Sequence, residues 1–204
     1  MQSMAKKLRS LTASTAFSGI GGFENALSAV ARCVGTKTRT TANFTMLSAL
    51  DFFGESRKEL ELFSCGCLFG DIKFFINPTL WQRLSSGGHS DSTRLLKHDF
   101  SDPGAVVEEA HCFVHNRLCR YKAAFVHCAG SPCTDWSPQG TRKGEDGETR
   151  VAFLAWVAMR ICWQEPVIIQ ENVVQFPSEL LEQLIGHLYN IQVGCDIFLV
   201  FEIA

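Results

Sequence analysis

One local pattern narrows the fold before any other. Residues 11–17, LTASTAF, form a short β-prone run that ends in Gly19-Ile20-Gly21-Gly22, and the apolar residues from Phe23 to about Val34 then recur at helical spacing. Phe23, Ala26, Leu27 and Val30 fall on one face of that helix. Strand, glycine turn and helix form the opening unit of a parallel α/β sheet. The pattern then repeats along the chain. FTMLSALDF (44–52) predicts a second strand ending in an acid, and ESRKELELF (55–63) a helix. AAFVHCA (123–129) and PVIIQ (166–170) read as buried strands, with the apolar helix VAFLAWVAMRICW (151–163) between them. SELLEQLIGHLYN (178–190) predicts a helix capped by its serine, and CDIFLVFEI a final strand. Residues 105–119 read as helical. GTKTRTTAN (35–43), SSGGHSDSTR (85–94) and the Gly- and charge-rich 134–149 read as loops, the last a mobile surface loop. The stretch 64–104 otherwise holds Gly70-Asp71-Ile72 and a Phe-rich piece without clear periodicity. The alternation predicts an α/β fold with a doubly wound, mostly parallel sheet.

A chain of 204 residues, 46% hydrophobic and 20% charged, suits one domain with a real core. Its net charge of −2 gives no global basic field, so bulk electrostatics alone does not call for a nucleic-acid partner. A local basic patch remains open. The cysteines number nine and include no C-x2-C pair, an arrangement that fits neither a disulfide framework nor zinc. They read as reduced thiols, mostly buried, in an intracellular protein that needs no metal. No apolar run reaches the ~18 residues of a membrane span, so no membrane partner is expected. MQSMAKKLRSLTAST has the composition of a transit peptide, but a strand starting near Leu11 leaves almost nothing to cleave. Residues 1–10 are read as a tail.

Four features carry chemistry. The turn Phe17-Ser18-Gly19-Ile20-Gly21-Gly22-Phe23-Glu24 lets backbone approach a ligand closely, and a nucleotide-type ligand at this sheet edge is the usual consequence. A purely structural turn is the alternative, since the spacing is not that of the dinucleotide fingerprint. Asp51, ending the second strand, is placed to accept from two ribose hydroxyls, or else to cap the next helix. Phe52 beside it offers a flat face to an adenine ring. Gly130-Ser131-Pro132-Cys133 follows a buried strand at the edge where parallel sheets place ligands. A proline before Cys133 and a polar loop after it suit an exposed, nucleophilic thiolate. Gln170-Glu171-Asn172-Val173 ends another buried strand, where a carboxyl can donate a proton; a helix cap by Asn172 is the bland reading.

In this order the segments resemble the cytosine-C5 DNA methyltransferase family. FSGIGGFE is similar to its S-adenosylmethionine loop, GSPC to its nucleophile motif and ENV to its glutamate motif. The resemblance runs over nearly the whole chain and is weakest between about 65 and 110. It implies an S-adenosylmethionine-dependent methyltransferase (Rossmann-like) fold, with a cofactor half over 11–104 and a catalytic half over 105–204. Phe17, Gly19, Ile20, Gly21 and Gly22 would line the cofactor pocket, with Asp51 on the ribose, Phe52 against the adenine and Asp71 at the adenine amino group. Asp99 is the substitute for Asp71. Pro132 would shape the wall beside the methylsulfonium. Cys133 would attack C6 of a flipped-out cytosine, Glu171 would hold and protonate N3, and Asn172 would brace the cysteine loop. Ser137, Arg142, Lys143 and Arg150 would meet phosphates from a closing loop.

The sequence also departs from the family. Thr134-Asp135-Trp136 stands where the family has a glutamine after the nucleophile, and is expected to alter how the loop holds nucleic acid. The long interval from Gly19 to Cys133 implies insertions around 33–43 and 73–98. The family's arginine-rich motif, target-recognition domain and final helix have no counterpart before Ala204. The resemblance therefore implies a truncated catalytic domain that does not methylate DNA by itself. A transfer-RNA cytosine methyltransferase and a non-catalytic binding module are the alternatives. An intracellular location is expected, nuclear in a eukaryote.

Overall fold

The computed structural model describes residues 11–38, 43–63, 65–86, 104–193 and 198–203. The candidate Asp99, most of the loop 85–94 and the N-terminal tail lie outside these residues. Five strands form the parallel centre of one sheet: β1 (Thr12–Ala16), β2 (Thr45–Leu50), β3 (Cys67–Phe69), β6 (Val126–Gly130) and β7 (Val167–Glu171). The hairpin β4 (Glu109–Cys112) and β5 (Arg117–Arg120) extends the β3 edge. At the other edge β9 (Phe198–Ile203) runs antiparallel between β7 and β8 (Tyr189–Val193). The full order is β5-β4-β3-β2-β1-β6-β7-β9-β8. β1 and β6, far apart in the chain, lie side by side, and the strands that follow each of them extend the sheet in opposite directions. This reversal of strand order is the switch point at which doubly wound sheets bind ligands.

Helices cover both faces, as a buried parallel sheet requires. Phe23 and Leu27 of α1 (Gly22–Thr38) and Leu60 of α2 (Gly54–Glu61) pack with Ala13, Met46, Ala49 and Leu68. α3 (Pro78–Ser86), α4 (Arg150–Trp163) and α5 (Ser178–Ile185) share the larger core on the opposite face, with Phe69, Phe75, Phe153, Trp156 and Leu181 at its centre. α4 is buried from Phe153 to Arg160, which explains why its sequence is apolar all round. Among the described residues no helix is long and apolar enough to cross a membrane.

The expected strands and helices are present, with three corrections. Residues 105–119 do not form a helix. Glu109 and His111 point out while Ala110 and Cys112 point in, a period of two, and the hairpin turns at Asn116 with φ 49°. The helix expected over 178–190 stops at Ile185. Tyr189–Val193 then pairs with β9, so tertiary pairing outweighs the local helical pattern. Its N-cap is Pro177, with no side-chain cap from Ser178. On α1, Leu27 packs inward as expected, but Val30 is exposed.

Candidate active site at the sheet edge

The glycine turn is held in a conformation that few side chains tolerate. Gly19 and Gly21 have φ of +53° and +80°, and Phe17 takes φ 54° without being glycine. Such a residue stores roughly 1 kcal/mol or more of strain, a feature concentrated at binding sites. A side chain at Gly21 would meet the Phe63 ring at 2.5 Å, whereas Gly19 and Gly22 face open space. Asp51 is buried and pins the turn: its Oδ2 accepts from the Gly19 amide at 2.8 Å and its Oδ1 from the Phe53 amide at 2.9 Å. Behind the turn, Ser18 donates to Thr15 Oγ1 and Thr15 donates to Glu24 Oε1. Burial, reinforced by the Asp51 charge, raises the Glu24 carboxyl above its ordinary value despite these hydrogen bonds.

A cleft of about 600 Å³ opens beside this turn, within the usual range for small-ligand sites. Phe17, Ser18, Gly22, Phe23, Gly130 and Glu171 are among its lining residues. A second cleft, of about 390 Å³, holds Phe52 and Asp71 with Arg57, Phe74, His111 and Phe113. Of the residues singled out as cofactor-binding, Phe17 and Gly22 line the first cleft and Phe52 and Asp71 the second, while Gly19, Ile20, Gly21 and Asp51 line neither; Asp51 ties the turn to the end of β2. Ile20 is 77% exposed and Phe52 61% exposed. Asp71 accepts from the Lys73 amide at 2.9 Å and pairs with Lys73 Nζ at 3.3 Å.

Parallel pairing brings the other two motifs to the same edge, with Gly130 of β6 opposite Glu171 of β7. A Cβ on Gly130 would stand 3.4 Å from Glu171 Oε2, so the glycine makes room for the carboxylate. Ser131 is the hinge between the strands. Its buried hydroxyl accepts from Gln170 Nε2 at 3.0 Å and from Asn172 Nδ2 at 2.9 Å. Asn172 therefore ties β7 to the segment that carries Pro132 and Cys133. Cys133 is half-buried, and its carbonyl accepts from the amides of Trp136 and Ser137 in a tight turn. Two buried thiols elsewhere are held protonated: burial pushes Cys65 up to about 11, and burial with the charges of Glu24 and Glu171 pushes Cys128 to about 12.

The segment 134–149 is organised around Asp135, a residue whose role the sequence did not reveal. The buried carboxylate accepts from Thr141 Oγ1, from the Thr149 amide at 2.9 Å and from the Thr149 hydroxyl. Burial alone would raise its pKa. The Thr141 and Thr149 hydrogen bonds and the Lys143 charge outweigh that and hold it below the usual carboxylate range. Trp136 anchors the segment against Phe153 and Phe176. Ser137 accepts from the Gln139 amide, while Arg142 and Lys143 are exposed, Arg142 donating to the Pro138 carbonyl. Arg150 needs a correction: it is 8% exposed and donates to the Leu84 carbonyl, so it faces inward rather than toward a phosphate.

Away from this edge, Cys67, Cys112, His115 and Cys119 bring their ligand atoms within 4.8 Å of one another. The expectation that the cysteines have no metal-like arrangement is corrected here. The signal was C-x2-H-x3-C over 112–119, visible only when histidine is counted with the thiols.

No family model matches this chain, and no curated protein matches it. Among solved structures, it resembles a prophage-encoded protein of E. coli assigned as a DNA modification methyltransferase, at 15% identity and a TM-score of 0.50. That match covers 95% of this chain and 47% of the other, so the chain spans about half that protein's length. A Methanococcus maripaludis protein assigned as an S-adenosyl-L-methionine-dependent methyltransferase aligns at 10% identity with a TM-score of 0.38, over 100% of this chain and 83% of the other. The fold is accordingly the Rossmann-like α/β fold of methyltransferases.

Proposed function

We propose that this chain carries the S-adenosylmethionine-binding and nucleophile-bearing part of a cytosine-C5 methyltransferase acting on DNA. The observation that carries the reading is the convergence of three motifs on one sheet edge. Residues of the glycine turn, Gly130 and Glu171 line one cleft where the strand order reverses, and Cys133 follows Gly130 in the segment that leaves β6. The cleft fits the cofactor in volume, and the open faces of Gly19 and Gly22 leave room for a ligand against the backbone. Phe17, Gly19, Ile20, Gly21 and Gly22 would hold it, with Asp51, Phe52 and Asp71 toward its nucleoside end. Bound S-adenosylmethionine supplies an electrophilic methyl group.

The chain's own residues would do the rest. The Cys133 thiolate adds to C6 of the cytosine, forming a C–S bond and moving the C5=C6 electron pair toward C5. Glu171 donates a proton at N3 and so relieves the charge that builds during the addition. C5 then takes the methyl, and loss of its proton to a base expels the Cys133 thiolate. Neither face of C5=C6 is reachable in stacked DNA, so the base must be flipped out. Asn172 keeps the Cys133 loop in place through Ser131, and Ser137, Arg142 and Lys143 are the phosphate contacts of the 134–149 segment.

The test uses the natural gene product with duplex DNA carrying 5-fluorocytosine, which cannot lose a proton from C5 and traps the adduct. A denaturation-stable, S-adenosylmethionine-dependent adduct is expected with the wild type, and its loss in Cys133→Ala. An adduct that persists in Cys133→Ala overturns the assignment of the nucleophile. An adduct with fluorinated transfer RNA but not with DNA overturns the substrate.

A further inference from the structure

The cluster on the opposite side of the sheet from β7 is independent of that reading. Cys112 ends β4, His115 sits in the hairpin turn, Cys119 lies on β5, and Cys67 begins β3. His115 Nδ1 stands 3.3 Å from Cys112 Sγ, 3.5 Å from Cys119 Sγ and 3.8 Å from Cys67 Sγ. Hydrogen bonding cannot account for this. A neutral imidazole offers one lone pair at Nδ1, enough for one thiol proton and not for three. A disulfide accounts for it no better: it would join two sulfurs and leave the third and the imidazole aimed at a bond with little to offer either. A cation at the centre satisfies all four lone pairs together. Tetrahedral zinc with Zn–S near 2.3 Å and Zn–N near 2.0–2.1 Å sets its sulfur and nitrogen ligands about 3.6 Å apart along each edge. The three observed separations bracket that value.

We infer that Cys67, Cys112, His115 and Cys119 form a structural zinc site that clamps the β4–β5 hairpin to β3. Soft thiolates with one imidazole in tetrahedral array select zinc among the common divalent ions. Four protein ligands leave no open position, so the site is structural rather than catalytic. Binding releases the protons of the thiols to solvent as the sulfurs become thiolates. The hairpin has reason to need the clamp. β4 joins β3 through the single registered pair Phe69 and Cys112, supported by the Phe113 amide on the Leu68 carbonyl at 2.8 Å. The same hairpin supplies Ala110, His111 and Phe113 to the wall of the smaller cleft, opposite Phe52 and Asp71. The ion therefore fixes one wall of that cleft.

Metal analysis of the protein purified under reducing conditions tests the inference. About one zinc per chain is expected, with X-ray absorption showing three sulfurs near 2.3 Å and one nitrogen near 2.0–2.1 Å. Cys67→Ser, Cys112→Ser and Cys119→Ser should each lose the zinc, while Cys33→Ser and Cys162→Ser, at exposed thiols, should keep it. If the first three fail to fold, alkylation of the wild type decides. Zinc should protect Cys67, Cys112 and Cys119 but not Cys33 or Cys162, and chelation should remove the protection. Wild-type protein that neither retains nor binds zinc, a zinc shell without sulfur, or protection that survives chelation overturns the site.

Discussion

Replacing Asp135 by alanine removes the acceptor around which the segment after Cys133 is organised. The carboxylate is buried and takes hydrogen bonds from Thr141 Oγ1 and from both the amide and the hydroxyl of Thr149. A hydrogen bond to a charged group contributes roughly 1.5–3 kcal/mol. Two of these bonds share one oxygen, so the full sum overstates the loss, and about 3 kcal/mol is expected for Asp135→Ala. Asn should do much better. The Thr149 amide can only donate, so the Asn oxygen must stay toward it, while the new NH2 faces the Thr141 hydroxyl, which can accept as readily as donate. About 1 kcal/mol is expected for Asp135→Asn. Hydrogen exchange of the Thr149 amide reads the difference directly: roughly 100-fold faster in the alanine variant and roughly fivefold in the asparagine variant. The folded pKa of Asp135 is depressed, so its contribution is present above the unfolded value near 3.9 and is lost as pH falls through the folded value. Equal exchange in the wild type and the alanine variant at neutral pH would refute the idea that this carboxylate holds the segment.

Two further outcomes concern the polar network beneath α4. Arg160 and Glu165 are fully buried and paired at 2.6 Å, and Tyr121 also donates to Glu165. Glu165→Gln should cost about 3–5 kcal/mol in urea unfolding, whereas Arg160→Met with Glu165→Leu should cost less than either single change. Strictly additive losses would sink that account. The second concerns His127, whose Nε2 accepts from Trp156 Nε1 at 2.9 Å, so its neutral ring carries the proton on Nδ1, toward Ser14. Burial, and then the Arg160 charge, holds its pKa well below 6.5. The unfolded chain therefore binds the extra proton first. This residue's contribution should fall by about 1.4 kcal/mol per pH unit below 6.5. The urea midpoint of the wild type should drop more steeply between pH 6.5 and 5.5 than that of His127→Gln, and parallel slopes would count against it.

Much of this protein is written locally. The glycine turn, the apolar strand runs and the Gly130-to-Cys133 segment are contiguous, and the chain's own periodicity assigns them to strand, turn or helix without knowledge of their neighbours. That is why the doubly wound sheet, the glycine turn and the strand ends at its edge were legible in the sequence. Properties set by what lies across the fold were not. Arg150 ends a polar loop in sequence, yet packing beneath α3 turns it inward. Asp135 is one acid among many until Thr141 and Thr149 fold back onto it. The hairpin over 109–120 reads as a helix in sequence because its two strands are short and find their period only when paired. The Cys67–Cys112–His115–Cys119 cluster joins side chains from Cys67 to Cys119, 52 positions apart in the chain. Periodicity acts along the chain and burial acts across it, so the strands and the glycine turn came from sequence alone, and the four-ligand cluster came only from the pairing of β3 with β4.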